Sequence, residues 1–295
     1  MKTAEKSHPE LLRQLTERIV ELSSSEKWYR YLDYQSKFRS YSPSNVMLIA
    51  MQREGATWVA GFAKWKELGR TVLKGEKAIW ILAPMVYKVK KLPNDLDKRT
   101  NSTIVQNEDT EGSSGPDPLS KICGFKFVPV FDVSSTQGDE LPSICDKLEG
   151  EDSKGLFEKL TSVADSIGYT VSKGDLPHGI NGDCAHSLKQ IRIEHSNSAI
   201  QQVKTLAHEL AHALLHENFK DRQIAELEAE SVAYIVCQSF GVDSSDYSFG
   251  YLASWAGSGE NAASSIKGSC ERIQRAVAKI LAPIETNHQF LVDIS

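Results

Sequence analysis

Cysteine is scarce and scattered in this chain of 295 residues: Cys123, Cys145, Cys184, Cys237 and Cys270 are odd in number and never form a C-x-x-C pair. That argues against a disulfide framework or a zinc ribbon and leaves buried free thiols as the expectation. Long apolar runs are missing too. No stretch approaches the roughly 20 residues that span a bilayer, and MKTAEKSHPELLRQ has no secretory h-region, so a cytoplasmic protein with no membrane partner is expected. Internal repeats are absent. With 40% hydrophobic and 25% charged residues, neither a disordered nor a fibrous chain is indicated. The length suits two ordinary domains, each able to bury a core.

What is present is unevenly distributed. Residues 25 to 91 hold 13 Lys+Arg against 5 Asp+Glu, a net of +8, so the remainder carries −13 of the overall −5. The same stretch contains 11 of the 24 aromatics. Within it, Arg39, Lys64, Lys66, Arg70, Lys74 and Lys77 alternate with Trp58, Phe62 and Trp65. Cationic side chains follow phosphates and exposed rings stack on unpaired bases, which points to single-stranded nucleic acid. The competing reading is that the tryptophans are core and the lysines a solvated rim.

Periodicity supplies the rest of the outline. Leu11, Leu12, Leu15, Ile19 and Leu22 mark an amphipathic helix over 9–24, with Pro9 suited to its first turn. Ser44 is placed to cap a helix through Gln52, and a third helix over 62–68 is expected to stop at Gly69. KAIWILAPMVYKVK reads as two extended segments turning at Pro84. Residues 93 to 120 are acidic and rich in Gly, Pro and Ser, a flexible insertion by composition. FKFVPVFDVSS (125–135) is a strand that either rejoins the first sheet or bridges onward, and 136–153 is the expected linker. Beyond it come a helix at 154–167, strands in GYTVS and QIRIEHS, and helices near 199–217, 222–240 and 261–282.

TLAHELAHALLHE (205–217) carries the chemistry. His208 and His212 are one helical turn apart on one face, close enough to grip a single Zn2+, and Glu209 is set to act as general base. The motif alone is weak, and a polar helix face is the bland alternative. Yet Leu206, Leu210, Ala213 and Leu214 make this helix largely apolar, and ionisable groups there need a partner. A third ligand must come from elsewhere. His216 is about 12 Å from His208 along the axis, and Asn218 and Leu215 rule out the metzincin extension. IAELEAESVAYIV (224–236) offers Glu226, Glu228 and Glu230. Glu226 and Glu230 share a face and Glu228 points away, so Glu226 is the expected ligand with Glu230 on a histidine N–H. A solvated acidic helix start is the alternative. Downstream, Tyr247, Tyr251 and Trp255 either pack on these helices, or Tyr247 and after it Tyr251 supplies an oxyanion donor.

His208-Glu-Leu-Ala-His212 followed by a helix of the form E-x-E-A-E resembles the gluzincin-type metallopeptidases of the ImmA/IrrE class. The resemblance implies Glu226 as third ligand, with Glu230 standing where an Asp is usual. It also likens QIRIEH to the edge strand that pairs with extended substrates. SNVMLIAMQ and TWVAGFAKWKELGRTVLKGEKAIWI, with Asn45, Trp58 and the Lys74–Lys77 turn, are similar to the N-terminal single-stranded-DNA-binding domain of the ArdC antirestriction family, whose members join it to a C-terminal zincin. The segment beginning at Asp246 matches as well. The implied protein is α+β with two domains, a small mixed nucleic-acid-binding domain at 1–135 and a zincin-like metallopeptidase domain at 154–295. Its implied partners are single-stranded DNA, through Arg39, Asn45, Trp58, Lys64, Arg70, Lys74 and Lys77, and a protein substrate of unassigned identity. A rival reading is a non-proteolytic shield of incoming DNA in which zinc is structural or vestigial.

Overall fold

A computed structural model describes residues 8–88, 120–141, 153–242 and 260–284. The acidic insertion over 93–119, Cys145 and the Tyr247–Trp255 segment lie outside the described residues. Helix α1 spans His8–Glu21 and buries Leu11, Leu15 and Ile19 at helical spacing. Helix α2, Ser25–Lys37, begins at Ser24, whose hydroxyl accepts from the Lys27 backbone N–H. It was not expected from the sequence. Trp28, Tyr31, Leu32 and Gln35 fall on its buried face, so two of the aromatics counted in the basic stretch belong to the core.

Helix α3 runs from Pro43 to Gln52. Its cap is Ser42, not Ser44, because Pro43 takes the first helical position and the Ser42 hydroxyl then faces the Asn45 N–H. Strand β1 (Val59–Ala60) leads into α4 (Phe62–Glu67), which stops before Gly69 at φ +70°. Strand β2 (Arg70–Val72) follows, and then β3 (Ile79–Lys88) passes through Pro84 without turning. β3 is the outer strand of a sheet ordered β1-β4-β3, and an edge tolerates a proline's missing N–H. β4, Ser120–Asp132, pairs antiparallel with β3 and β1, so FKFVPVFD returns to the first sheet. A short 3-10 turn then carries the chain into β5 (Thr136–Gly138). β5 pairs with β2, which extends the first unit into what the sequence suggested was linker.

The second unit starts with α5 (Ser153–Ser166) and β6 (Thr170–Gly174), followed by β7 (Gly182–Ala185) and β8 (Gln190–Glu194). Strand order is β6-β8-β7, with β8 parallel to β6 and antiparallel to β7. The QIRIE strand is therefore central, hydrogen-bonded on both sides. It cannot be the edge that receives a substrate, and β7 occupies that edge. Helices α6 (Ala199–Leu215), α7 (Arg222–Ser239) and α8 (Glu260–Leu281) complete the fold.

The two units share apolar packing. One buried cluster runs from Leu11 and Trp28 through Ile191 and Leu206 to Ile273 and Ile280. α2 packs on α7, and α1 and α3 reach α8. The fully buried Trp28 donates its indole N–H to Ser231 Oγ at 3.0 Å, and Gln274 on α8 donates to the Tyr41 carbonyl at 2.6 Å. Among the described residues no helix is long and apolar enough to cross a membrane. Cys237 and Cys270 are buried as expected of free thiols, whereas Cys123 on the exposed end of β4 is not.

Candidate metal centre and basic face

Helix α6 is started by Ser198, whose hydroxyl accepts from Gln201 N–H, and is sustained by its Ala and Leu content. Leu206, Ala207, Leu210 and Ala211 are fully buried, which turns the intervening face toward α7 and β7. His208 and His212 leave that face one turn apart, with their Nε2 atoms 3.0 Å from each other. Helix α7 begins at Asp221, which accepts from Gln223 and Ile224 N–H, and brings Glu226 opposite. Glu226 Oε2 lies 3.5 Å from His208 Nε2 and 3.8 Å from His212 Nε2. Four ligands at about 2.0–2.1 Å from a tetrahedral ion are separated by about 3.3 Å, so these three atoms suit one divalent ion. Two imidazoles and a carboxylate are also the donor chemistry of a zinc site with an open fourth position.

The surrounding charges favour that arrangement. His208 donates from Nδ1 to Glu230 Oε2 at 3.1 Å, which leaves Nε2 facing the other donors. Burial alone would lower the His208 pKa, but Glu226 and Glu230 outweigh it and raise it to about 9. The contacts with His208 and His212 hold Glu226 far below the usual carboxylate range, against its partial burial.

Glu209 is 7% exposed and adjoins the donor set without joining it. Burial raises its pKa, and the two histidines only partly oppose that. Gly182 of β7 makes this possible. A Cβ there would meet Thr205 Cγ2 at 2.5 Å and Glu209 Cγ at 3.3 Å, so only glycine lets the edge strand lie against α6. Together these elements line an open cleft of about 860 Å³, with His208, Glu209, His212 and Glu226 on one wall and Asn181–Cys184 on another. His216, which the sequence spacing removed from the ligand set, sits behind His212 with its Nδ1 3.0 Å from His212 Nδ1. Glu228 points away from the cleft, fully buried, as its helical phase requires.

The residues expected to contact DNA are not all available to it. Asn45 is 8% exposed, and its amide bonds the Leu82 backbone at both ends, Nδ2 to the carbonyl and Oδ1 from the N–H, each at 2.8 Å. It fastens α3 to β3. Arg70 is bound up with β5, donating to Thr136 Oγ1 at 2.8 Å and to the Asp139 carbonyl. Lys64 pairs with Glu67 at 3.0 Å, and Arg39 and Trp58 are half-buried. Lys74 and Lys77 are exposed on the turn between β2 and β3, and Phe62 and Lys66 are exposed on α4. Trp65, by contrast, is core, with its indole N–H on the Phe131 carbonyl.

Residues 9–115 match the family described as the N-terminal domain of anti-restriction factor ArdC, and residues 168–237 match the IrrE N-terminal-like domain. The second match spans β6 to α7 and contains His208, Glu209, His212 and Glu226. An uncharacterized protein of Bacillus anthracis is 26% identical over 270 residues, covering 84% of this chain. The chain spans about half of that relative, 46% of its length. The fold also matches two crystal structures of the antirestriction ArdC protein of plasmid R388. The Mn(II)-bound form aligns with a TM-score of 0.52 at 19% identity, covering 94% of this chain and 98% of that one. The metal-free form aligns at 0.51 and 20% identity, covering 82% and 85%.

Proposed function

Because the chain joins an ArdC N-terminal domain to an IrrE N-terminal-like domain, we propose that it is a single-stranded-DNA-binding metallopeptidase of the antirestriction type. The observation that carries the hydrolytic half is the convergence of His208 Nε2, His212 Nε2 and Glu226 Oε2 beside the buried Glu209, all within one open cleft. His208, His212 and Glu226 would hold a divalent ion, zinc in this reading, which would supply Lewis-acid polarisation of a carbonyl and lower the pKa of a bound water. Glu209 takes the water proton and passes it to the leaving amine, a task that its raised pKa suits. Glu230 fixes the orientation of His208. The open cleft, bounded by the edge strand β7, favours a protein substrate laid out as an extended chain. The Mn(II) in the plasmid R388 protein supports a divalent ion here.

The nucleic-acid half rests on the ArdC-type domain and on the exposed cations of the β2–β3 turn. In this reading Lys74 and Lys77 contact the phosphates, Trp58 and Phe62 supply ring surface, and Arg39, Lys64 and Arg70 contribute charge from partly fixed positions. Asn45 is left to the fold. The protein acts in the cytoplasm on both partners.

Charge reversal tests this directly. The Lys74→Glu, Lys77→Glu double variant is expected to weaken binding to an oligo-dT strand at least tenfold at low salt. It is also expected to flatten the log K against log salt plot by about 1.4, two contacts at about 0.7 each for a single strand. Unchanged affinity and slope in gel shifts across a salt series would remove this turn from the interface.

A further inference from the structure

The β7 wall of the cleft ends in a side chain that the proposed mechanism does not use. β7 runs along α6: a Cβ on Gly182 would meet Thr205 and Glu209, and Cys184, two residues on, is within electrostatic range of Glu209. His186 follows directly after the strand. It lines the same cleft, within electrostatic range of His212 and His216, and so sits one step further along the wall than the residues that face Glu209.

Two neighbours fix the His186 ring. Its Nδ1 lies 2.8 Å from the hydroxyl of Tyr169, a residue 2% exposed, and the Tyr169 oxygen accepts from Lys189 Nζ at 3.2 Å. Lys189 is the one non-glycine among the described residues with a positive φ, +49°, and this left-handed turn folds its ammonium back over the Tyr169 ring, 4.7 Å from the centroid. The same ammonium pairs at 3.0 Å with Glu217, just past the end of α6, which ties the β7–β8 connection to the helix. An ammonium can only donate, and the buried phenolic hydrogen has no acceptor among the described residues other than His186 Nδ1. Nδ1 therefore accepts. The Nε2–H, which has no partner among the described residues, is the donor left for the cleft.

We propose that His186 grips the substrate: its Nε2–H takes a backbone carbonyl oxygen of the bound peptide, about two residues along from the scissile bond. Two residues of strand, about 7 Å, separate His186 from Cys184, and an extended peptide laid along the same wall advances by the same step. Tyr169 and Lys189 are positioning residues that hold the ring for this contact. The proposal rests on the peptidase reading and deepens it, because it makes the substrate an extended chain held beyond the reacting bond.

A contact that is the same in the ground state and the transition state lowers KM and leaves kcat alone. The zinc-loaded protein and its variants, screened on a quenched fluorescent peptide library and then measured on the best-cleaved member, read this. His186→Phe, which keeps a ring beside Tyr169, is expected to raise KM about tenfold, the scale of one lost hydrogen bond, with kcat and metal content unchanged. His186→Gln, whose amide can accept from Tyr169 and donate into the cleft, is expected to recover most of that loss. Tyr169→Phe, which frees the ring, is expected to raise KM about threefold. Added to the non-cleaving Glu209→Gln protein, the same substitutions are expected to weaken binding of that peptide, fluorescein-labelled, by the same factors. An unchanged KM in His186→Phe overturns the proposal, and so does a fall in kcat at constant KM, which would place the ring at the reacting carbonyl. Should His186→Phe fail to fold, Tyr169→Phe decides, and an unchanged KM there overturns the proposal. If zinc-loaded wild type cleaves no peptide, the peptidase reading fails and this role falls with it, whereas cleavage by wild type with an indifferent His186→Phe sinks the role alone.

Discussion

Glu209→Gln is expected to leave the fold, metal uptake and single-stranded-DNA binding intact while lowering peptide hydrolysis by at least 10²–10⁴-fold, the usual contribution of a positioned general base. The substitution keeps the shape of a side chain that has almost no room, wedged between α6 and the Cβ-less Gly182. Burial already disfavours the Glu209 charge, so a neutral amide costs the folded state little. None of the three converging donor atoms belongs to Glu209, which is why binding of the ion should survive. Cleavage of a quenched fluorescent peptide library, run beside metal analysis, separates the two effects. Retained hydrolysis would remove Glu209 from the mechanism. The same variant discriminates the rival reading. Full protection of DNA from restriction by Glu209→Gln would favour a shield that coats the strand, and lost protection would favour proteolysis.

Trp28→Ala is expected to be the most destabilising single substitution outside the metal centre. Trp28 is completely buried where α2 meets α7, and truncating such a side chain costs about 3–5 kcal/mol. For a chain of this size that corresponds to a fall in Tm of roughly 10 °C. Ser231 also loses the indole N–H that it accepts. Because the apolar cluster is continuous across both units, one calorimetric transition should shift as a whole. Two transitions, with only the N-terminal one displaced, would show that the units unfold independently.

What the sequence revealed and what it hid follow from range. His208, Glu209, His212 and Glu226 were legible because each depends on helical phase and on one short connection between α6 and α7. The helices of the second unit were legible for the same reason. Contacts that close over long separations were not. Nothing local distinguishes an aromatic that stacks on a base from one like Trp28 that meets Ser231 across 203 residues of sequence. Asn45 has the composition of a ligand contact, yet the backbone of Leu82 uses it. Pro84 reads as a turn until the strand is seen to be an edge, and QIRIE reads as an edge until β7 is found on its far side. His216 was kept out of the expected ligand set by helical rise, but its partner Glu228 is held by Arg272 from α8, remote in sequence, so no local signal announced those contacts.

The central claim is that one divalent ion is held by two imidazoles and one carboxylate on neighbouring helices. Diffraction data collected at the zinc absorption edge from crystals of the zinc-loaded protein test it most directly. One strong anomalous peak per chain is expected, at about 2.0–2.2 Å from His208 Nε2, His212 Nε2 and Glu226 Oε2. No peak there, or one confined to the Asp175, Glu194 and His195 group, would contradict it.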